Sequence, residues 1–399
     1  MDRTKSKLWT KDFIVVSSVN FLLTLIFYLL MVTIAVYAVN EYSATTSQAG
    51  LITGIFIIGT LIGRLFTGRV IDSIGRKRTL IIGLILFTLT TLLYFINIGI
   101  PFLLVNRFIH GIALGVASTA AGTIVAQIIP ITRRGEGIGY YSMSATLATA
   151  IGPFVGLLMS QHTSFQMIFA FCLVLGFLSL VTAFFVKVPM LENAVPVVNE
   201  KGIKLSQFVE LKAVPIAFVT FVVAFAYSSV LSFINFYAIE VDLVSTASFF
   251  FIVYAVAVLV SRPFTGRLMD VKGSNLIMYP AFVLFGAGLI LLSTAQSSVV
   301  LLLSGALIGL GFGNMQSTTQ AIAVKLTPPH RMGLATSTFF IALDGGLGFG
   351  PYLLGFIIPV IGYSKLYIAL GIFVFVSSIL YYFLHGKKES KEKVANFCN

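Results

Sequence analysis

The chain repeats itself. Sliding the 399-residue sequence by 198 positions superposes Arg64 on Arg262, Phe66 on Phe264, Thr67 on Thr265, Gly68 on Gly266 and Arg69 on Arg267. The same shift places Asp72 on Asp270 and Gly75 on Gly273. Without a gap it also aligns Gly111 with Gly309, Gly115 with Gly313, Pro130 with Pro328, Arg133 with Arg331, Gly135 with Gly333, and Gly152 and Pro153 with Gly350 and Pro351. One offset near half the chain length means two homologous halves joined head to tail. Whatever the chain folds into, it must build it twice.

The solvent of those halves follows from charge. Only 10% of residues are charged and 58% are hydrophobic, against about a quarter charged in soluble domains. Apolar runs of ~20 residues, enough to cross a ~30 Å hydrocarbon core, recur from end to end. Twelve spans are expected, at 13–39, 48–70, 79–98, 101–129, 138–160, 165–186, 213–239, 247–269, 276–296, 298–324, 333–358 and 364–385. This is the pattern of an all-α membrane protein. The net charge of +12 sits in short loops between apolar runs, so it reads as topology and not as a nucleic-acid surface. Cys172 and Cys398 form no framework and point to no metal site. The first apolar run is too long for a cleaved signal and stays as the first span.

Basic residues fix the orientation. Arg3, Lys5, Lys7 and Lys11, Arg76 to Arg78, Arg133 and Arg134, Lys201, Lys204 and Lys212, Lys272, Lys325 and Arg331, and the tail lysines 387, 388, 391 and 393 share one side. The opposite loops hold Glu41, His162, Glu240 and Asp242, with Lys365 the one basic exception. Both termini are thus expected in the cytoplasm. Equivalent basic loops fall on one side in both halves, so each half holds an even number of spans. Six plus six meets this, as parallel repeats about an axis along the membrane normal. The expected domains are a bundle at 1–187, a cytoplasmic linker at 188–212, a bundle at 213–385 and a disordered tail at 386–399. Within the linker Leu205, Phe208 and Val209 recur at helical spacing, as in a short interfacial helix.

Three stretches carry a resemblance. Residues 68–80, GRVIDSIGRKRTL, resemble the loop 2–3 signature of the major facilitator superfamily, G-x-L-x-D-R-x-G-R-K-x-x-L, with Val70 for its Leu and Ser73 for its Arg. Residues 104–115, with Arg107 and Gly111, are similar to the span-4 signature, His110 standing where Gln is usual. Gly139 followed by Gly152, Pro153 and Gly156 is similar to the span-5 signature of drug/proton antiporters. The resemblance implies the major facilitator fold, two six-helix pseudo-symmetric bundles around a cavity lined by spans 1, 4, 7 and 10. It implies a drug/proton antiporter.

Candidate site residues divide by role. Asp72, with Gly75, Arg76 and Lys77, can form a gating latch by pairing with those cations or facing the positive N-terminus of a helix such as span 11. Asp270 and Gly273 repeat it without the cation run, which places the stronger latch in the first half. The alternative is a solvated loop that merely holds topology. Arg64 and Arg262, near the cytoplasmic boundary, read as structural charges that snorkel or pair.

Arg107 lies ~9 Å below the outer end of span 4 at 1.5 Å per residue, with His110 on the same face. Either the pair faces a cavity, or Arg107 snorkels and His110 is a satisfied interior histidine. Asp344 lies ~17 Å inside span 11, the one acid deep in any span. A carboxyl there can carry the coupled proton, with His110 and Arg107 as the other proton-coupling candidates. Alternatively it caps a polar network or pairs permanently with Arg107 or Arg64. Asn20, Tyr28, Arg107, His110, Tyr227, Asn235, Asn314 and Gln316 are the candidate substrate-cavity residues, each equally readable as helix-to-helix glue. Gly152–Pro153 and Gly350–Pro351 are expected helix kinks at matched positions.

No G-x-x-x-x-G-K-S/T loop, H-E-x-x-H pair or G-x-S-x-G elbow is present, so ATP drive and enzymatic hydrolysis are disfavoured. The expected function is a proton-coupled alternating-access exporter of small organic molecules, without cofactor, working as a monomer in the inner membrane of a bacterium. Its partners are the substrate, protons and the lipid bilayer. The alternative is export of an endogenous anionic or zwitterionic metabolite such as an opine-type metallophore. From another class comes a transport-inactive sensor or lipid-handling protein, which would show no substrate-coupled proton flux.

Overall fold

In hydrocarbon a backbone satisfies its polar groups by bonding within its own segment. The described residues of the computed structural model, 7–189 and 205–390, fold accordingly into helices, with no strand among them. The basic residues Arg3, Lys5, Lys201, Lys204, Lys391 and Lys393, and Cys398, lie outside the described residues. The helices are α1 (Lys11–Tyr42), α2 (Thr46–Ile74), α3 (Arg76–Leu92), α4 (Ile100–Ile128), α5 (Arg134–His162) and α6 (Phe165–Phe184). Then come α7 (Val214–Glu240), α8 (Val244–Lys272), α9 (Asn275–Ser293), α10 (Ser298–Ile308), α11 (Asn314–Lys325) and α12 (Met332–Tyr381). A π-helical turn, Gly309–Gly313, joins α10 to α11. Hydroxyls of Thr10, Thr45, Ser164 and Ser297 start α1, α2, α6 and α10 by accepting from the first free N–H groups.

Among the described residues, eleven helical stretches are long and apolar enough to cross a membrane. The last, Pro329–Ser390, runs 62 residues, more than twice the ~20 of one crossing. Its backbone leaves helical geometry at Gly362 (φ 77°, ψ 167°), a conformation open to a residue without Cβ. Gly362 falls between the last two expected spans.

The chain forms two compact units. Unit 1 is Met1–Pro130, Ser144–Glu210 and Thr327–Ile341; unit 2 is Ile131–Met143, Leu211–Leu326 and Ala342–Asn399. Each unit therefore takes one short strip from the opposite repeat. Inside unit 1, α2 and α4 touch backbone to backbone. A Cβ on Gly111 would strike the Phe56 carbonyl, and one on Gly115 the Thr60 carbonyl. Unit 2 repeats this where Gly309 meets Tyr254 and Gly313 meets Val258. Lipid tails are as apolar as leucine, so such close packing of small residues is what draws membrane helices together.

Two expectations change. Pro153 and Pro351 themselves lie inside α5 and α12. The neighbouring glycines serve close approach: Gly152 lies on Leu25 and Tyr28 of α1, and Gly350 on Phe225 and Ser228 of α7. The linker ends in one 3-10 turn, Leu205–Gln207, shorter than the interfacial helix expected. Its side chains dock instead, Phe208 beneath the Arg69 guanidinium at 4.8 Å and edge-on to Phe66. Buried Glu210 accepts from Arg331 and donates its N–H to Thr338 at 2.9 Å. The tail is helical through Ser390 rather than disordered from Gly386, because Glu389 caps the start of α9.

Candidate functional site

Both acids of the repeat are hydrogen-bonded to the start of a helix. Gly75 (φ 100°) ends α2 and lets α3 begin at once with Arg76. Arg76 donates to Asp72 Oδ1 through Nε at 2.9 Å and Nη2 at 2.8 Å. Arg76 is buried, and reaches Gln127 Oε1 at 2.8 Å and the Pro329 carbonyl at 2.6 Å. Asp72 also receives a backbone hydrogen bond from Gly333, in the first turn of α12. Lys77 is outside this cluster, donating to the Phe184 carbonyl at 2.9 Å.

The second copy solves the same problem without a guanidinium. Gly273 (φ 83°) ends α8, and Asp270 accepts from the N–H groups of Gly135 at 2.7 Å and Glu136 at 2.8 Å. These are first-turn donors of α5 that no helical carbonyl can reach. The helix dipole and the carboxylate charge strengthen both bonds. Each acid therefore holds a strip of the opposite repeat: Asp72 holds 327–341 in unit 1, and Asp270 holds 131–143 in unit 2.

Arg64 and Arg262 do not snorkel. Arg64 is buried, over the Phe340 ring at 4.4 Å with Nη1 on Ser118, and its carbonyl accepts from Ser337. Arg262, 1% exposed, donates to the carbonyls of Gly139 and Gly313. Both brace the strip that the neighbouring acid caps.

Deeper in unit 1 the span-4 pair closes into a chain of donors. Arg107 is 1% exposed and His110 fully buried. Arg107 lies over Phe56 at 4.2 Å, with Nε on the Ile52 carbonyl and Nη1 on the Tyr94 hydroxyl at 3.2 Å. Tyr94 is 2.9 Å from His110 Nδ1, and Thr91 is 3.3 Å from Nε2. Thr91 gives its own proton to the Phe87 carbonyl, so it accepts from Nε2. Nε2 therefore carries a proton, and the Tyr94 hydroxyl faces Nδ1. No carboxylate among the described residues pairs with Arg107. Arg107 and His110 are enclosed by their bundle, not facing open space. Tyr94 and Thr91, which sequence reasoning missed, complete the cluster. Tyr94 aligns with Leu292 under the repeat, so the shift that exposed the other sites is blind to it.

The remaining candidates scatter. Asn20 is buried and donates to Ser144 at 2.9 Å; Tyr28 is half-buried, edge-on to Phe27. Both belong to unit 1. In unit 2 Tyr227 is buried in a stack with Phe312, at 4.0 Å and 11°, and with Tyr254. Buried Asn314 donates to Ser261 and Leu310 and accepts from Thr265, binding α8 to the π turn. Gln316 and Asp344 are half-buried and Asn235 is exposed. The proton-coupling candidates thus fall in different units, Asp344 in unit 2 and Arg107 with His110 in unit 1. No group of His, Cys, Asp or Glu among the described residues is placed to hold a metal.

Membrane-length helices in two homologous sets, with matched acid-to-helix contacts and buried polar groups inside the spans, define a multi-pass membrane protein. The chain belongs to the Major Facilitator Superfamily, whose family model matches residues 16–346 and 243–397. It is 29% identical over 87% of its length to an uncharacterised MFS-type transporter of Methanocaldococcus jannaschii, covering 91% of that protein. It is 21% identical over 86% of its length to the staphylopine export protein of Staphylococcus aureus, covering 88%. It is 26% identical over 64% to multidrug resistance protein 2 of Bacillus subtilis, covering 66%. The fold matches the superfamily transporter FucP in its outward conformation with TM-score 0.75 at 16% identity, over 95% of this chain and 99% of that one. The protein is a transporter and not an enzyme.

Proposed function

We propose that the protein is a proton-coupled alternating-access exporter of small organic molecules. The paired latches carry this reading. Each is a charge-assisted contact between an acid and a helix start, and such a contact has two discrete states, made and broken. Matched latches on strips drawn from opposite repeats are what a two-state rocking transporter requires. The same reading takes Pro329–Ser390 as two spans divided at Gly362, giving twelve, with both termini cytoplasmic in a bacterial inner membrane and the monomer as the working unit.

Asp344 carries the proton in this proposal, because it is half-buried, whereas both ring nitrogens of His110 are hydrogen-bonded inside a closed cluster. The multidrug-resistance and staphylopine-export relatives support the export direction. The staphylopine relative, matched along 86% of this chain, favours a second reading in which the substrate is a carboxylate-bearing metabolite of the opine type.

Proteoliposomes with an inside-acid gradient test both. Lipophilic cations and amino-acid-like carboxylates are added as separate panels. One panel is expected to release protons, and Asp344→Asn to abolish that release while substrate binding persists. Proton release that survives Asp344→Asn removes Asp344 from the coupling role. Substrate movement without proton flux in the unaltered protein removes antiport altogether.

A further inference from the structure

Unit 2 holds a cavity of about 450 Å³ at the basic end of its helices. Three ammonium groups from separate elements line it: Lys212 ahead of α7, Lys325 at the end of α11, and Lys388 in the helical extension of α12. The lining also includes one carboxylate, Glu389.

That carboxylate is engaged with α9. Glu389 Oε1 accepts from the Ser274 N–H at 2.6 Å, and Oε2 from the Ser274 hydroxyl at 2.6 Å and the Asn275 N–H at 3.0 Å. His385 Nε2 lies 4.0 Å from Oε2. Asn275 further donates to the Gly386 carbonyl at 2.9 Å and to Ser390 at 3.1 Å. The clasp fixes the extension that carries Lys388 into the cavity wall. The lining carries three lysines and one glutamate, and that glutamate accepts from the start of α9.

Beside the cations stand two leucines open to the surroundings, Leu211 at 56% and Leu326 at 41% exposure. A free inorganic anion uses charge alone. A phosphate joined to hydrocarbon uses both features, since a lysine can lay its stem on apolar surface while its ammonium meets the charge. Positive-inside topology needs lysines somewhere in the loops but neither a cavity nor convergence. We propose that this cavity binds the headgroup of an anionic phospholipid, its phosphate among Lys212, Lys325 and Lys388 and the first part of its chains along Leu211 and Leu326.

The full-length protein, purified in detergent, is titrated with short-chain phosphatidylglycerol, short-chain phosphatidylcholine and inorganic phosphate. The readout is the unfolding midpoint, which rises with any ligand that binds the folded state. Phosphatidylglycerol is expected to raise it saturably and phosphatidylcholine to leave it in place. Combined Lys212→Gln, Lys325→Gln and Lys388→Gln lowers the apparent affinity by about tenfold or more. Combined Lys7→Gln, Lys11→Gln and Lys187→Gln removes equal charge from unit 1 and shifts affinity by less than about twofold. Equal losses in the two triple variants, or none in the first, overturn the site. Inorganic phosphate producing the same shift at the same concentration overturns the lipid assignment. Should the first triple variant fail to fold, Lys325→Gln alone carries the test, with unchanged affinity as the overturning result.

Discussion

Tyr94 is the hinge of the buried chain in unit 1. Its hydroxyl accepts from Arg107 and stands 2.9 Å from His110 Nδ1, so one oxygen serves both a guanidinium and an imidazole. Removing it by Tyr94→Phe leaves Arg107 one acceptor short and His110 Nδ1 without its partner, all buried. Losses of this kind cost about 1–3 kcal/mol. The unfolding midpoint of the purified protein should fall accordingly, and transport with it. Arg107→Lys should not restore function, because a lysine cannot reach Ile52, Tyr94 and the Phe56 face with one fork. Substrate transport at wild-type rates in either variant would show that the chain is packing only. Sequence alone made Arg107 and His110 visible, since ionisable groups stand out in an apolar span. It could not say which way they turn. Helical spacing puts both on one face but is silent on whether that face meets water or another helix, and the burial of Asn20, Tyr227 and Asn314 was hidden for the same reason.

At the level of elements, the latches show what the 198-residue shift could and could not reveal. Asp72 and Asp270 were legible from the repeat, and span 11 was legible as Asp72's partner from the helix dipole. The same shift carries Gly333 onto Gly135, so the partner of Asp270 was implicit in the sequence as well. What the sequence could not show was the cost of lacking the cation run. Asp270 replaces Arg76 by binding two first-turn N–H groups directly. Asp270→Asn removes the charge and leaves one oxygen to accept, weakening the latch by about 1–2 kcal/mol and shifting a two-state ratio about five- to thirtyfold. Cysteine labelling of the loop before α5 should then accelerate in the variant by a similar factor. Unchanged labelling with unchanged transport would remove Asp270 from gating. The joint within α12 was legible too: Pro359, Ser364 and Lys365 interrupt the apolar run where the last two expected spans part, and the backbone leaves helical geometry there, at Gly362.

For the molecule as a whole, the exchange of strips bears on how the protein comes into being. Unit 1 is completed by Thr327–Ile341, a segment that leaves the ribosome long after the rest of that unit. Until it arrives, Asp72 lacks the Gly333 donor, Arg76 lacks the Pro329 carbonyl, and Glu210 lacks Arg331. The first repeat must therefore wait in the membrane, inserted but unfinished, for a piece of the second. A first-half fragment ending within the linker is expected to insert yet be degraded faster than the same fragment co-expressed with the second half, as pulse-chase labelling would record; equal lifetimes would mean the first half finishes by itself. The strips thus act as a roll call at the end of synthesis: neither repeat reaches its final packing until the other has been made.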